Sequence, residues 1–288
     1  MTNLSDEQNA DIVKTVEMLP PLRQLVSQAD LIAKKSLGQN FLFDLNLTRR
    51  IARTAAPFNE AVLEIGPGPG GLSRALLIEG APMLISIEKD RRVIEFLQHL
   101  QAVATDKIQL IEQDALEIRL SDIASSPLQI VANLPYNIAT PLFISFLRQA
   151  EQITAMSLMF QKEVAMRITA KVGDSAYGRL AVITAWRAQA EMLFDIPADA
   201  FVPPPKVTST LIRVKPYPEP LFDCNMLHLE AVTRIAFGQR RKMLRASFKK
   251  YGGEKLLSSL DIEPSIRPQE LPVEGFCRLA NALSDQLG

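Results

Sequence analysis

The chain has 288 residues, 47% hydrophobic and 22% charged, enough for one large domain or for one domain plus a small one. Lys plus Arg equal Asp plus Glu at 32 each, so overall charge points to no polyanionic partner and only its distribution can. Two cysteines (Cys224, Cys277) and two histidines (His99, His228) exclude a disulfide framework and a Cys-based zinc site, and leave a His triad or metal centre almost no material.

No apolar run approaches a membrane span. Residues 1–33 carry Asp6, Glu7, Asp11 and Glu17 without the apolar core of a signal peptide, so a cytoplasmic protein is expected. "LPPLRQLVSQADLIAKK" reads as a short helix after a Pro-Pro start, "SLGQNFLFD" as a loop, and "LNLTRRIARTAA" as a helix ending before Pro57. Strands and helices then alternate. "AVLEIG", "MLISIEKD", "KIQLIEQD", "LQIVANLPY" and "AMSLMFQ" read as five strands, with "LSRALLIEG", "RRVIEFLQHLQAVA" and "TPLFISFLRQA" as helices between them. Such alternation predicts an α/β fold, a parallel sheet with helices on both faces. "TSTLIRV" alternates at period two and suits an edge or a hairpin, and "KPYPEP" reads as a linker. Beyond it only helical segments follow: "MLHLEAVTRIAF", "RRKMLRASFKKY" and "GFCRLANALSDQL". The expected organisation is an N-terminal extension (1–33), an α/β domain (34–218) and a small all-helical C-terminal domain (219–288).

Ligands of open α/β sheets sit at the carboxyl ends of the strands. After the first strand stands "GPGPGG"; Gly66, Gly68 and Gly71 fit the dinucleotide spacing, and Gly66, Gly68 and Gly70 fit a methyltransferase spacing. A tight turn without a ligand is the lesser alternative. After the second strand, about twenty residues on, Glu88 stands where a carboxylate takes ribose hydroxyls; a solvated strand-end charge is the plainer reading. After the third, Asp114 is placed to accept from an adenine amine, or simply to cap a helix. After the fourth comes "NLPY". Adenine N6 is a poor nucleophile because its lone pair is delocalised into the ring. Two acceptors gripping its N–H groups would free that lone pair. Asn133 offers a side-chain oxygen and Leu134 a backbone carbonyl, which Pro135 aims; Tyr136 offers a face for a flipped base. A plain Asn-Pro turn is the alternative.

These residues, with "KKSLGQNFL", "EIGPGPGGLS", "IEKD", "QDAL", "NLPYNIATPL", "FQKEVAMRI", "YGRLAV", "FVPPPKVTSTLIRV" and "FGQRRKMLR", resemble the ribosomal small-subunit RNA adenine dimethyltransferases of the KsgA type, from about Lys34 onward. The resemblance implies a Rossmann-like class I methyltransferase domain, S-adenosylmethionine as donor, no metal, and N6-dimethylation of two adjacent adenosines near the 3′ end of small-subunit rRNA. It places cofactor contacts on Asn40, Leu42, Gly66, Gly68, Glu88, Asp114 and Asn133, and catalysis on Asn133, Leu134, Pro135 and Tyr136. Phe201 resembles a second stacking wall opposite Tyr136. The resemblance implies rRNA in a small subunit or its precursor as the partner, with no membrane and no obligate protein partner expected.

No Asp or Glu stands between Arg234 and Lys250, a stretch holding Arg240, Arg241, Lys242, Arg245 and Lys249; it reads as an RNA contact or as a solvated helix face. Lys34, Lys35, Arg49, Arg50 and Arg53 form a second basic cluster. Three other functions stay open: a nicotinamide oxidoreductase, which leaves Asp114 and "NLPY" unexplained; a non-catalytic assembly factor; and a large-subunit rRNA adenine methyltransferase.

Overall fold

The computed structural model describes residues 6–34 and 37–287. Nine strands occur among them: β1 (Phe41–Leu42), β2 (Val62–Ile65), β3 (Leu84–Glu88), β4 (Ile108–Glu112), β5 (Leu128–Asn133), β6 (Ile153–Gln161), β7 (Ala188–Ile196), β8 (Phe201–Val202) and β9 (Ser209–Pro216). Seven form one sheet in the order β4-β3-β2-β5-β6-β9-β7. The five expected strands are present and pair in parallel. β2, β3 and all but the last residue of β5 are buried, which is why they read as mainly apolar runs. The order reverses between β2 and β5, and such a switch point opens a crevice at the carboxyl ends of the strands.

β9, the "TSTLIRV" run, lies inside the sheet, antiparallel to β6, rather than at its edge. β7 takes the edge; its burial does not alternate along the strand, and its sequence gave no strand signal. β1 and β8 form a separate two-residue antiparallel ladder, Phe41 opposite Val202 and Leu42 opposite Phe201.

The helices follow from their caps and apolar spacing. Asp44 accepts from the amides of Asn46 and Leu47 to start Leu45–Ala55, which buries Thr48, Ile51, Ala52 and Ala55 on one face. Asp90 accepts from the Arg92 amide to start Arg91–Val103, which buries Val93, Leu97 and Leu100. The helix after the glycine loop, Gly71–Ile78, is buried at every residue. The N-terminal extension covers part of it. Its helices, Asp6–Glu17 and Leu22–Gln28, send Val16 into the same core as Leu72 and Leu76, and Pro20 accepts from Arg74 Nη1 at 2.8 Å. The first of these helices had no counterpart in the sequence reading.

Two compact units result, one of residues up to Lys162 with Met192–Lys215, the other of Glu163–Glu191 with the chain from Pro216 onward. The second therefore begins well before the boundary at residue 219. Tyr177, Ala181, Val182 and Trp186 pack with Leu229, Phe248, Phe276 and Leu279 in one core, and this apolar face draws Arg179–Arg187 to the C-terminal helices.

The basic run does not form one helix. Met226–Gly238 ends at Gly238, Arg240 to Lys242 lie in a turn closed by the Lys242 amide on the Gln239 carbonyl (2.8 Å), and Arg245 sits on the four-residue helix Leu244–Ser247. The second basic cluster is largely consumed within the fold. Arg49 and Arg53 both pair with Glu79 (2.5 and 2.9 Å), Arg49 also reaches Glu17, and Arg50 lies over the Phe194 ring. Lys35 of that cluster lies outside the described residues.

Candidate active site

A cavity of about 230 Å³ opens at the switch point. Its lining includes Asn40, Leu42, Gly66, Gly68, Glu88, Asp114, Asn133, Leu134, Pro135 and Tyr136, so the loops after β2, β3, β4 and β5 meet at one place.

The glycine loop is shaped by two close approaches. Gly68 has φ +52°, and a Cβ there would lie 3.0 Å from the Phe41 ring. A Cβ on Gly71 would lie 2.1 Å from the Leu42 carbonyl oxygen, so only glycine lets the helix start against β1. Glu88, 8% exposed, accepts on one carboxylate oxygen from the amides of Lys89 (2.9 Å) and Asp90 (2.8 Å), and the Gly68 amide also bonds its carboxylate. Burial raises its pKa, and the backbone donors counter that rise. The carboxylate thus pins the glycine loop from the neighbouring strand.

Asp114 does what a helix cap does: Oδ1 accepts from the Leu116 amide at 3.0 Å. Its Oδ2 accepts from Lys89 Nζ at 2.6 Å, and this bond with Lys89 holds its pKa below the usual carboxylate value. The cap and the cavity wall are one residue.

Asn133 ends β5. Its Nδ2 donates to the Asn40 backbone carbonyl at 3.0 Å, across 93 residues of sequence, which leaves Oδ1 as the remaining polar atom of the side chain. Asn40 is itself tied by its side chain to the Gly38 carbonyl (3.2 Å). Gln39 beside it accepts from the Lys34 amide and donates to Asp90, fixing the "GQN" loop to the helix after β3. Pro135 packs over Gly66, 3.5 Å from where a Cβ would stand, and the Ile138 amide closes a turn on the Pro135 carbonyl at 3.1 Å. Leu134 is buried, so it offers the site only backbone. Tyr136 is held through its hydroxyl, 2.5 Å from Ser209 Oγ at the start of β9.

Phe201 departs from its expected place. It is 1% exposed, lies in the core cluster with Leu42, Leu211 and Met159, and does not line the cavity. Its β8 backbone is committed to the ladder with Leu42, and that pairing carries the ring into the core.

Glu64 had no role in the sequence reading. It is 1% exposed beneath the cavity, accepts from Ser73 Oγ (2.6 Å) and Ser86 Oγ (3.2 Å), and burial pushes its pKa up to about 7. A lone glutamate inside a strand otherwise read as buried was the available signal.

In the second unit Arg234, Arg240, Arg241, Lys242, Arg245 and Lys249 are all exposed. Arg240 is engaged by the backbone, its guanidinium donating to the carbonyls of Ser175 and Tyr177. Arg245 lies 3.9 Å from Glu254. No group of His, Cys, Asp and Glu among the described residues could hold a metal ion.

The chain is 51% identical over 267 residues to the ribosomal RNA small subunit methyltransferase A of Rhodospirillum rubrum, covering 92% of this chain and 93% of that one. It is 49% identical over 269 residues to the enzyme of the same name from Rhizobium meliloti, covering 92% and 98%. Among solved structures, a dimethyladenosine transferase from Plasmodium falciparum superposes with a TM-score of 0.73 at 25% identity, over 85% of this chain and 98% of that one. The 23S rRNA methyltransferase ErmE superposes with a TM-score of 0.64 at 26% identity, over 85% and 100%. The model of the ribosomal RNA adenine dimethylase family matches residues 31–285, and the chain belongs to that family.

Proposed function

We propose that this enzyme transfers methyl groups from S-adenosylmethionine to N6 of two adjacent adenosines near the 3′ end of small-subunit rRNA, giving N6,N6-dimethyladenosines within a small subunit or its precursor in the cytoplasm. The observation that carries this reading is the Asn133 side chain, anchored through its amide nitrogen so that its oxygen remains to accept. The relatives at about half identity are named for the small subunit, which favours that substrate over the large one.

The cavity fits an adenosyl methyl donor. Gly68 and Gly71 keep the loop bare of side chains, Glu88 keeps acceptor capacity for ribose hydroxyls beside its backbone bonds, and Asp114 offers acceptors for an adenine amine once Lys89 yields. When bound, S-adenosylmethionine supplies an activated methyl on a sulfonium. The protein's task is then positioning rather than acid–base chemistry. Asn133 Oδ1 and the Leu134 carbonyl accept from the two N6–H groups of the target and draw the nitrogen towards tetrahedral geometry. Pro135 holds the angle between them, and the Tyr136 ring supports the splayed base. The amine turns strongly acidic as the methyl arrives, so its proton passes to water without a dedicated base. Arg241 and Lys242 contribute phosphate contacts.

Mapping of dimethyladenosine in total rRNA from cells with and without the protein tests this reading. Two adjacent sites near the small-subunit 3′ end should lose both methyls together. Unchanged modification there, or loss in the large subunit instead, would reject it.

A further inference from the structure

The only two cysteines of the chain meet in the second unit. Cys277, 2% exposed, lies on the helix Val273–Ala282 in the core with Trp186 and Phe276. Cys224, partly exposed, lies in the segment between β9 and the helix Met226–Gly238. That segment is fastened on both sides of the cysteine. Trp186 Nε1 donates to the Phe222 carbonyl (2.7 Å), and the Leu221 amide donates back to the Trp186 carbonyl (3.0 Å). Asn281, one turn beyond Cys277 on the same helix, donates to the Asp223 carbonyl (2.8 Å), and Asn225 caps the next helix by accepting from the Leu227 amide (2.8 Å). With Asp223 and Asn225 both held, Cys224 packs against the core cluster that contains Cys277, on the side of the helix to which Asn281 fastens its neighbour Asp223.

We propose that Cys224 and Cys277 are a redox-active dithiol, oxidised by hydrogen peroxide to a reversible intramolecular disulfide that ties the segment Leu221–Asn225 to the helix Val273–Ala282. The Cys224 thiolate attacks one peroxide oxygen; the O–O bond breaks and leaves hydroxide, and the sulfur becomes a sulfenic acid. The Cys277 sulfur then attacks that sulfur. An S–S bond forms, the S–OH bond breaks, and the departing hydroxide takes the Cys277 proton as water. Two electrons pass from the sulfurs to the peroxide, and two waters result. The order of roles follows from position: Cys224 is reachable from solvent and Cys277 is not. Acidity agrees. Interaction with Cys277 lowers the Cys224 pKa against the opposing effects of burial and Asp223, whereas interaction with Cys224, then burial, with Cys224 and Glu274 adding charge repulsion, raises that of Cys277. The competing account is that two small apolar side chains merely pack together.

The test uses the full-length reduced protein, treated with hydrogen peroxide, alkylated and mapped by mass spectrometry without reduction. Both thiols should disappear together, a peptide pair joined through Cys224 and Cys277 should appear, the protein should remain unlinked between molecules, and dithiothreitol should reverse the change. Cys277→Ser should instead accumulate sulfenic and sulfinic acid on Cys224, while Cys224→Ser should leave the Cys277 thiol intact. Sulfinic acid on Cys224 of the parent with Cys277 still alkylatable, or disulfides between molecules only, would overturn the proposal. The parent's map decides the matter even if a variant folds poorly.

Discussion

Asn133→Ala tests the proposed chemistry most directly, because the structure separates the two ends of that side chain. Nδ2 is spent on the Asn40 carbonyl at 3.0 Å, so truncation removes a structural bond and an acceptor together. The structural bond is worth about 0.5–1.5 kcal/mol, which a domain of this size tolerates. A preorganised group that acts on the transition state is worth about 2.7–4 kcal/mol, on the order of a hundred- to thousandfold in rate. Methyl transfer should therefore fall far more than stability or RNA affinity. Asn133→Asp should not rescue it, although it keeps two oxygens. One carboxylate oxygen would face the Asn40 carbonyl where an N–H now donates, and repulsion would displace the loop that carries Asn40. After the first methylation only one N–H remains on N6, so the second transfer relies on a single acceptor. Residual activity in either variant should show an altered ratio of mono- to dimethylated product. The assay is single-turnover transfer from labelled S-adenosylmethionine to unmethylated small subunits, with products resolved by mass spectrometry. A folded Asn133→Ala enzyme that dimethylates at near-parental rate would refute the reasoning.

Glu88→Gln keeps an acceptor for the amides of Lys89 and Asp90 but removes the charge, so S-adenosylmethionine affinity should fall about tenfold by calorimetry while the fold is retained. Unchanged affinity would remove the carboxylate from the ribose contact. Glu64→Gln should change how stability depends on pH. Glu64 has its pKa raised from 4.5 to about 7, so the unfolded chain ionises first and the parent loses stability as pH rises through that window. The variant, which cannot ionise, should gain on the parent by up to about 3 kcal/mol across the same window, measured by urea unfolding at several pH values; parallel curves would show that Glu64 titrates normally. Arg241→Ala with Lys242→Ala should flatten the salt dependence of small-subunit binding by about 0.7–0.9 in the log–log slope per lost phosphate contact, without altering cofactor affinity. Arg240→Ala should instead lower thermal stability, since its guanidinium holds the carbonyls of Ser175 and Tyr177.

Local chemistry was legible in the sequence. The mainly apolar runs of β2, β3 and β5 needed no partner to be read as buried strands, since burial on both faces favours apolar residues at successive positions. The glycines after β2 and the Asn-Leu-Pro-Tyr turn after β5 are backbone events encoded within a few residues, and the rule that ligands gather at strand ends was enough to bring them to one site. What crosses the sequence was decided only by the tertiary structure. The Asn133 amide is oriented by a carbonyl 93 residues away, and the Tyr136 hydroxyl by Ser209, because strand order and register set those distances. Glu64 looked like any strand residue until burial beneath the cavity, beside Ser73 and Ser86, gave it an acid–base character near neutrality. Phe201 carried the right motif, yet the β1–β8 ladder places its ring in the core. The residues Glu163–Glu191 joined the second unit because the apolar face of Arg179–Arg187 found its partners among helices far along the chain, and a helix's own sequence states which face is apolar but not which surface will cover it.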